Sequence, residues 1–229
     1  MLFAVIGLGV LGRSAALELQ RMGNTVIGVD IDSKEIDKVS DILQYSAIAD
    51  ATDKGMLEEL NLTRCDGVLV SIGDNLEASV LCTLNLREMG IRNVWVKAKT
   101  ESHGAILSAL KVRHIIQPEH DMGIRIAQAM NYPIVVDHMA LGDDLYLIQV
   151  IANDILNGQT IEQAFTGHDS IEVFMIKRGA SVMRCDQRDF VIEQGDRLVL
   201  SGPLEALKQL SKAFKVIERN RESGDQLSS

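Results

Sequence analysis

Cysteine is scarce in this chain of 229 residues: there are three, Cys65, Cys82 and Cys185, far apart and never in a CxxC pair. That excludes a zinc knuckle and a dithiol redox motif. It leaves three small buried hydrophobes suited to a reducing compartment. Basic residues are outnumbered, 23 against 32 acidic, for a formal charge of −9. No run of five or more cations occurs, and a groove that neutralises phosphates needs clustered Lys and Arg, so nucleic acid is excluded as a main partner. No apolar run reaches the roughly 18 to 20 residues that a membrane span requires. Met1-Leu2-Phe3-Ala4-Val5-Ile6 lacks the basic flank of a signal peptide and runs straight into a glycine-rich turn. The expectation is a cytoplasmic protein that meets a membrane only through a partner. With 46% hydrophobic residues, though only 4% aromatic, the chain has ample material for a core without disulfide staples.

Short apolar runs alternate with helical stretches through the first half. Strands are expected at Leu2–Ile6, Thr25–Asp30, Ser46–Ala49, Val68–Ile72, Val94–Ala98 and His114–Ile116. Between them, Leu11–Met22, Ser33–Leu43, Asp53–Leu60, Leu76–Met89 and Ser102–Leu110 carry apolar residues at three- and four-residue spacing. Such alternation implies an α/β fold, a doubly wound parallel sheet covered on both faces. Gly23 and Gly90 fall where helix ends favour a residue tolerant of positive φ. A further helix is expected over Asp121–Asn131, stopped by Pro133.

Beyond it the rhythm changes. Strands are expected at Asp144–Ala152 and Ile171–Lys177, with a turn at Arg178-Gly179 into Ser181–Arg184; Phe190-Val191-Ile192 leads through Glu193-Gln194-Gly195-Asp196 into Arg197–Ser201, and helices are expected at Thr160–Phe165 and Pro203–Phe214. The expected organisation is a nucleotide-binding domain over 1–136, a small α+β domain over 137–217 and a disordered tail over 218–229, where apolar residues are almost absent.

Gly7-Leu8-Gly9-Val10-Leu11-Gly12 follows a predicted strand and opens a predicted helix, which gives the GxGxxG fingerprint its full context. Gly7 permits the tight turn, Gly9 lets backbone approach a pyrophosphate, and Gly12 lets helix and strand pack closely. The helix start supplies free N–H groups and the positive end of a dipole. Asp30, ending the second strand, is placed to accept hydrogen bonds from a ribose diol and to repel a 2′-phosphate. Asp32 either reaches the ribose or caps the helix begun by Ser33. Asp50-Ala51-Thr52 lies past the third strand, where Asp50 meets an adenine amino group or Thr52 caps the next helix. Ile72-Gly73-Asp74 follows the fourth strand, with Gly73 against a ribose or phosphate, or Asp74 as an ordinary cap.

An enzyme using such a cofactor needs an acid or base and a substrate pocket. No tyrosine has a lysine four residues on, the five histidines make no HExxH, and no GxSxG elbow is present. The nucleotide is therefore expected to be sensed, not consumed. The alternative is a small NAD-dependent oxidoreductase.

The ordered blocks Ala4–Gly12, Val29-Asp30-Ile31-Asp32, Ser71–Ser79, Val94-Trp95-Val96-Lys97-Ala98-Lys99 and Pro118-Glu119-His120-Asp121-Met122-Gly123 resemble the cytosolic gating subunits of Ktr/Trk-type bacterial potassium uptake systems, the RCK (KTN) family. Arg197-Leu198-Val199-Leu200, with the residues around it, is similar to the small C-terminal RCK domain. The resemblance implies a regulator without chemistry of its own: a homodimer assembling to an octameric ring beneath a membrane potassium-translocating subunit. It implies ATP or ADP in the cleft, or NAD(H) as in the Trk branch. By position it puts Asp30 and Asp32 at the ribose, Asp50 and Ala51 near adenine, and Ile72, Gly73 and Asp74 on the cleft wall. Lys97, Ala98, Lys99 and His103 fall near the phosphates, although His103 also suits a surface helix cap. Glu119 falls beside the γ-phosphate and a divalent ion such as Mg. Two departures stand out. Val10 replaces a common Ktr-branch arginine, and Arg13 replaces a small residue. Cyclic di-AMP, bound by the C-terminal domain of some relatives, makes Ile171, Val173 and Pro203 loose candidates. An RCK sensor serving another cation transport system is a further alternative.

Overall fold

In the computed structural model, which describes residues 1–131, 135–184 and 188–210, the alternating pattern closes into one parallel sheet. Its strands are β1 (Leu2–Ile6), β2 (Thr25–Asp30), β3 (Tyr45–Ile48), β4 (Gly67–Val70), β5 (Val94–Lys97) and β6 (His114–Ile116), in the order β3-β2-β1-β4-β5-β6. The connections are α1 (Val10–Arg21), α2 (Ser33–Asp37), α3 (Lys54–Glu59), α4 (Leu76–Glu88) and α5 (Glu101–Ala109), and α6 (Pro118–Asn131) follows β6. Successive side chains of a strand point to opposite faces, and β1 shows the result. Ala4 and Ile6 join one buried cluster with Val68, Val70, Val96 and Leu86, while Val5 joins another with Leu8, Val26 and Val39. Cys82 lies in the first cluster, and burial pushes its thiol up to about 12; burial also raises the half-buried Cys65. Both behave as hydrophobes, as expected.

The chain divides into two compact units, Met1–Asp121 and a second beginning at Met122. The second unit is an antiparallel sheet, β10-β9-β11-β8-β7, built from β7 (Val135–Gly142), β8 (Leu145–Ile151), β9 (Glu172–Arg178), β10 (Ser181–Arg184) and β11 (Arg197–Pro203). A short helix α7 (Ile161–Ala164) and a helix over 204–210 complete it. Its core gathers Ile148, Val150, Ile176, Leu198, Leu200 and Leu210.

Three elements differ from expectation. α2 stops at Asp37 instead of Leu43, because Val39-Ser40-Asp41 are weak helix formers that continue in tight turns. β7 was not foreseen: Asp137-His138 interrupts its apolar pattern, and the hairpin to β8 turns on Gly142, Asp143 and Asp144, all at positive φ. α6 begins at Pro118 instead of Asp121, because proline suits the first position of a helix. Cys185, Pro133, the expected tail over 218–229 and the expected helix beyond 210 lie outside the described residues. Among the described residues, no helix is long and apolar enough to cross a membrane.

Candidate nucleotide-binding site

In a doubly wound sheet a crevice opens at the carboxyl ends of the strands where the order reverses, here between β1 and β4. The glycine-rich loop leaves β1 at that point, and its three glycines do three different jobs. Gly7 sits at φ +89°, and a Cβ there would lie 2.9 Å from the Ser71 carbonyl carbon. On Gly12 a Cβ would lie 1.8 Å from the Gly7 carbonyl oxygen, so these two permit loop, helix and sheet to meet. Gly9 has nothing within 4 Å of its missing Cβ and faces open space. Gly9 also caps α1 without any side-chain bond, and the first turn holds no acidic residue. The positive end of the helix is therefore open to an anion. Val10 is exposed, Leu11 is half-buried, and the Leu8 side chain is fully buried, so Leu8 offers only its backbone.

That backbone is what fixes Asp30. Its Oδ2 accepts the Leu8 N–H at 2.5 Å, and its Oδ1 accepts the Asp32 N–H at 2.9 Å. An ionised carboxylate has about four acceptor positions, so two remain for a diol. The Asp32 side chain is used otherwise: it accepts from Lys34 N and caps α2. Across the cleft Asp50 accepts both the N–H and the hydroxyl of Thr52, at 2.9 and 2.7 Å, and these bonds lower its pKa. Thr52 is not the cap of α3; Asp53 is, accepting from Gly55 N and Met56 N, because its φ and ψ are extended as a cap requires.

The cleft holds about 540 Å³. Gly7, Gly9, Asp30 and Ile31 line it from β1 and β2, Asp50, Ala51 and Thr52 from the loop after β3, and Ile72, Gly73 and Asp74 from the loop after β4. Ser71, Asn75 and Ala78, from the Ser71–Ser79 block, and Glu35 also line it and were not assigned to it from sequence. Glu35 stands three residues after the Asp32 cap, a capping-box spacing that could have flagged it. Asn75 caps α4 by accepting from Ala78 N, which frees Asp74 to pair with Lys99 at 3.3 Å.

The residues assigned to the phosphate end stand beside this cleft, not in its lining. Lys97 donates to Glu119 at 2.5 Å, and a Cβ on Gly73 would lie 3.3 Å from Lys97 Nζ, so the ammonium adjoins the β4 wall. That hydrogen bond holds the Glu119 carboxyl below its usual range. Ala98 packs in the core and bonds through its backbone to Ile116. His103 is not a surface cap. It is 1% exposed, its Nδ1 accepts from Lys99 N, and burial lowers its pKa, while the capping group of α5 is Thr100.

The TrkA-N domain family matches residues 3–118 of the chain. The chain is 35% identical over 211 residues to the Ktr system potassium uptake protein C of Bacillus subtilis (strain 168), covering 92% of this chain and 96% of that one. It is 32% identical to the Ktr system potassium uptake protein A of Vibrio alginolyticus, covering 93% and 97%. The chain belongs to the Ktr/Trk-type RCK family of potassium-uptake regulatory subunits. In fold it is similar to a structure titled GsuK Channel, with a TM-score of 0.64 at 14% identity, covering 90% of this chain but 38% of that one. It is also similar to a GsuK channel bound to NAD, at TM-score 0.51, 18% identity and the same 38% of the channel chain.

Against the RCK pattern, the departure at Val10 and Arg13 now has a geometry. The Arg13 guanidinium bonds Glu35 at 2.9 Å, linking α1 to α2, and Glu35 itself lines the cleft. Four carboxylates, Asp30, Glu35, Asp50 and Asp74, line this RCK cleft and Glu119 stands beside it, yet no cluster of three or more ligating side chains exists among the described residues. That donor set fits an ion held chiefly by phosphate oxygens, as Mg²⁺ commonly is, and not an all-protein cage.

Proposed function

We propose that this RCK subunit senses an adenine nucleotide and thereby gates a membrane potassium-uptake channel or transporter, with ATP against ADP as the switch and no catalysis of its own. The observation that carries this is Asp30: a carboxylate in the cleft, fixed by two backbone N–H groups, with acceptor capacity left for a ribose diol. The open start of α1 and the empty space at Gly9 suit a phosphate chain. Relatives named for Ktr potassium uptake, aligned over more than nine-tenths of the chain, support a potassium-transport partner; a homo-oligomeric ring on the cytoplasmic face of the membrane belongs to the same proposal. NAD(H) is the second ligand to consider, because a neighbour in fold carries NAD. In the second unit, Ile171 and Val173 line a cavity of about 640 Å³, the candidate place for cyclic di-AMP, but its wall is mostly polar, with Glu162, His168, Asp169, Glu172 and Arg188, and Pro203 does not line it.

The Lys97–Glu119 pair supplies the discrimination. A γ-phosphate competes with Glu119 for the Lys97 ammonium, and the released carboxylate is then repelled by phosphate unless a cation bridges them. Glu119 would be the protein ligand of a divalent ion such as Mg²⁺ there, and the ion would supply the neutralising charge. ADP is too short to disturb the pair.

Calorimetric titration of ATP, ADP, NAD and NADH, with and without magnesium, tests this. The expected result is binding of ATP and ADP, with a magnesium effect confined to ATP and diminished in Glu119→Gln. Preference for NADH would replace ATP as the ligand, and equal effects of Glu119→Gln on ATP and ADP would remove Glu119 from the γ-phosphate.

A further inference from the structure

At the opposite end of the first sheet, before β5 and β6, a cavity of about 460 Å³ is lined by Arg87, Arg92, Lys111 and Arg113, with no acidic residue in its wall. Four cations around one cavity are unexpected in a chain of formal charge −9. Among the described residues none of the four makes an ion pair, whereas Arg13, Arg21, Lys54 and Arg178 each do. We propose that this cavity is an anion site for a phosphate-type oxyanion, separate from the nucleotide cleft.

The cavity is made by one local structure used twice. α4 ends with Gly90 N bonding Arg87 O and Ile91 N bonding Leu86 O; α5 ends with Lys111 N bonding Ser108 O and Val112 N bonding Leu107 O. In each, an αL residue is followed by an aliphatic residue and then an arginine, Arg92 in one and Arg113 in the other. β5 and β6 are paired neighbours, so the two copies lie side by side. The αL position is filled by glycine in the first, at φ +82°, but by lysine in the second, at φ +57°. A side chain there is strained where glycine would not be, so Lys111 is kept at a conformational cost.

Cations also complement the negative ends of helices, and that accounts for Arg87 in the last turn of α4. It does not account for Arg92 and Arg113, which lie beyond the helices at the strand entries. The two helix ends offer only about half a negative charge each, against four positive charges, so the cavity remains a net attractor of anions. Guanidinium forks suit phosphate oxygens in particular. Such oxyanions occur on soluble phosphate compounds and on acidic phospholipid headgroups.

The test uses the full chain with two probes: inorganic pyrophosphate by calorimetry, and sedimentation with phosphatidylglycerol vesicles against phosphatidylcholine vesicles. ATP titration runs beside them as a control on the cleft. Arg92→Gln/Arg113→Gln is expected to weaken the responding probe about tenfold or more while ATP affinity is unchanged. Response to pyrophosphate alone identifies a soluble ligand, and response to phosphatidylglycerol vesicles identifies the headgroup. Lys111→Gly is expected to weaken the same probe and raise Tm, by relieving the αL strain. Binding of neither probe, or equal binding by parent and double variant, overturns the site. A Lys111→Gly variant of higher Tm and unchanged binding overturns the part assigned to Lys111.

Discussion

Each unit has a carboxylate that organises its surroundings, and the two are used in opposite ways. In the first, Asp30 accepts two backbone N–H bonds from adjacent loops and keeps acceptor capacity facing a cleft. In the second, Asp196 is 1% exposed and accepts three bonds: Arg178 donates to both its oxygens, at 2.9 and 2.7 Å, and Glu193 N donates as well. Arg178 in turn bonds Glu193 and the Val191 carbonyl and lies 5.0 Å from the Phe190 ring. The lesson concerns leftover capacity. A buried carboxylate with three of its about four acceptor positions taken, two of them by a guanidinium, closes a fold, whereas one half satisfied at a strand end can bind.

The sharpest way to break this contrast is to damage one unit alone. In Gly12→Ala the new methyl would meet the Gly7 carbonyl oxygen at 1.8 Å, backbone against backbone with no flexible side chain to yield. A loss of about 4 kcal/mol is expected. The single tryptophan, Trp95, lies on β5 and reports this unit's unfolding in urea. Amide exchange in β9 and β11 should be nearly unchanged.

Asp196→Ala is the complementary variant. It leaves Arg178 without its main partner, and about 3 kcal/mol is expected at neutral pH, at the low end for buried pairs because Arg178 is one-third exposed. The hydrogen bond from Arg178 is the largest influence lowering the Asp196 pKa. A depressed folded pKa stabilises above the unfolded value, about 3.9, and that stability is lost as pH falls through the folded value. The gap between parent and variant should therefore narrow below about pH 4, as followed by amide exchange.

Asp30→Ala is expected to weaken nucleotide binding by about 1 to 3 kcal/mol, the scale of lost charged hydrogen bonds, and calorimetry reads it. The smallest effect is in the second unit. Thr160 and Gln163 form a reciprocal capping box on α7, and Thr160→Ala should cost about 1 kcal/mol in urea unfolding.

The parallel sheet was legible because each strand is a short aliphatic run bounded by a helix of different period, and β1, β2 and β6 have the residues expected of them. Asp30 was legible for the same reason, since strand end and fingerprint fix its place together. The Asp32 cap was one of two readings open from sequence, but the next two caps were not legible. Asp53 and Asn75 took the capping positions by a one-residue margin over Thr52 and Asp74, a matter of local φ and ψ that residue type does not decide. Burial of His103 depends on packing between loop and helix that periodicity cannot show. β7 was hidden by two polar residues within it. The basic cavity was hidden because its four cations are far apart in sequence, so no charge run betrays them.

The central claim, that Asp30 reads a ribose diol, is tested most directly by a four-way calorimetric cycle: ATP and 2′-deoxy-ATP, each with the parent chain and with Asp30→Ala. The prediction is that the parent binds 2′-deoxy-ATP about tenfold more weakly than ATP, and that Asp30→Ala binds the two alike. Equal affinity of the parent for both nucleotides would contradict it and place the ribose elsewhere.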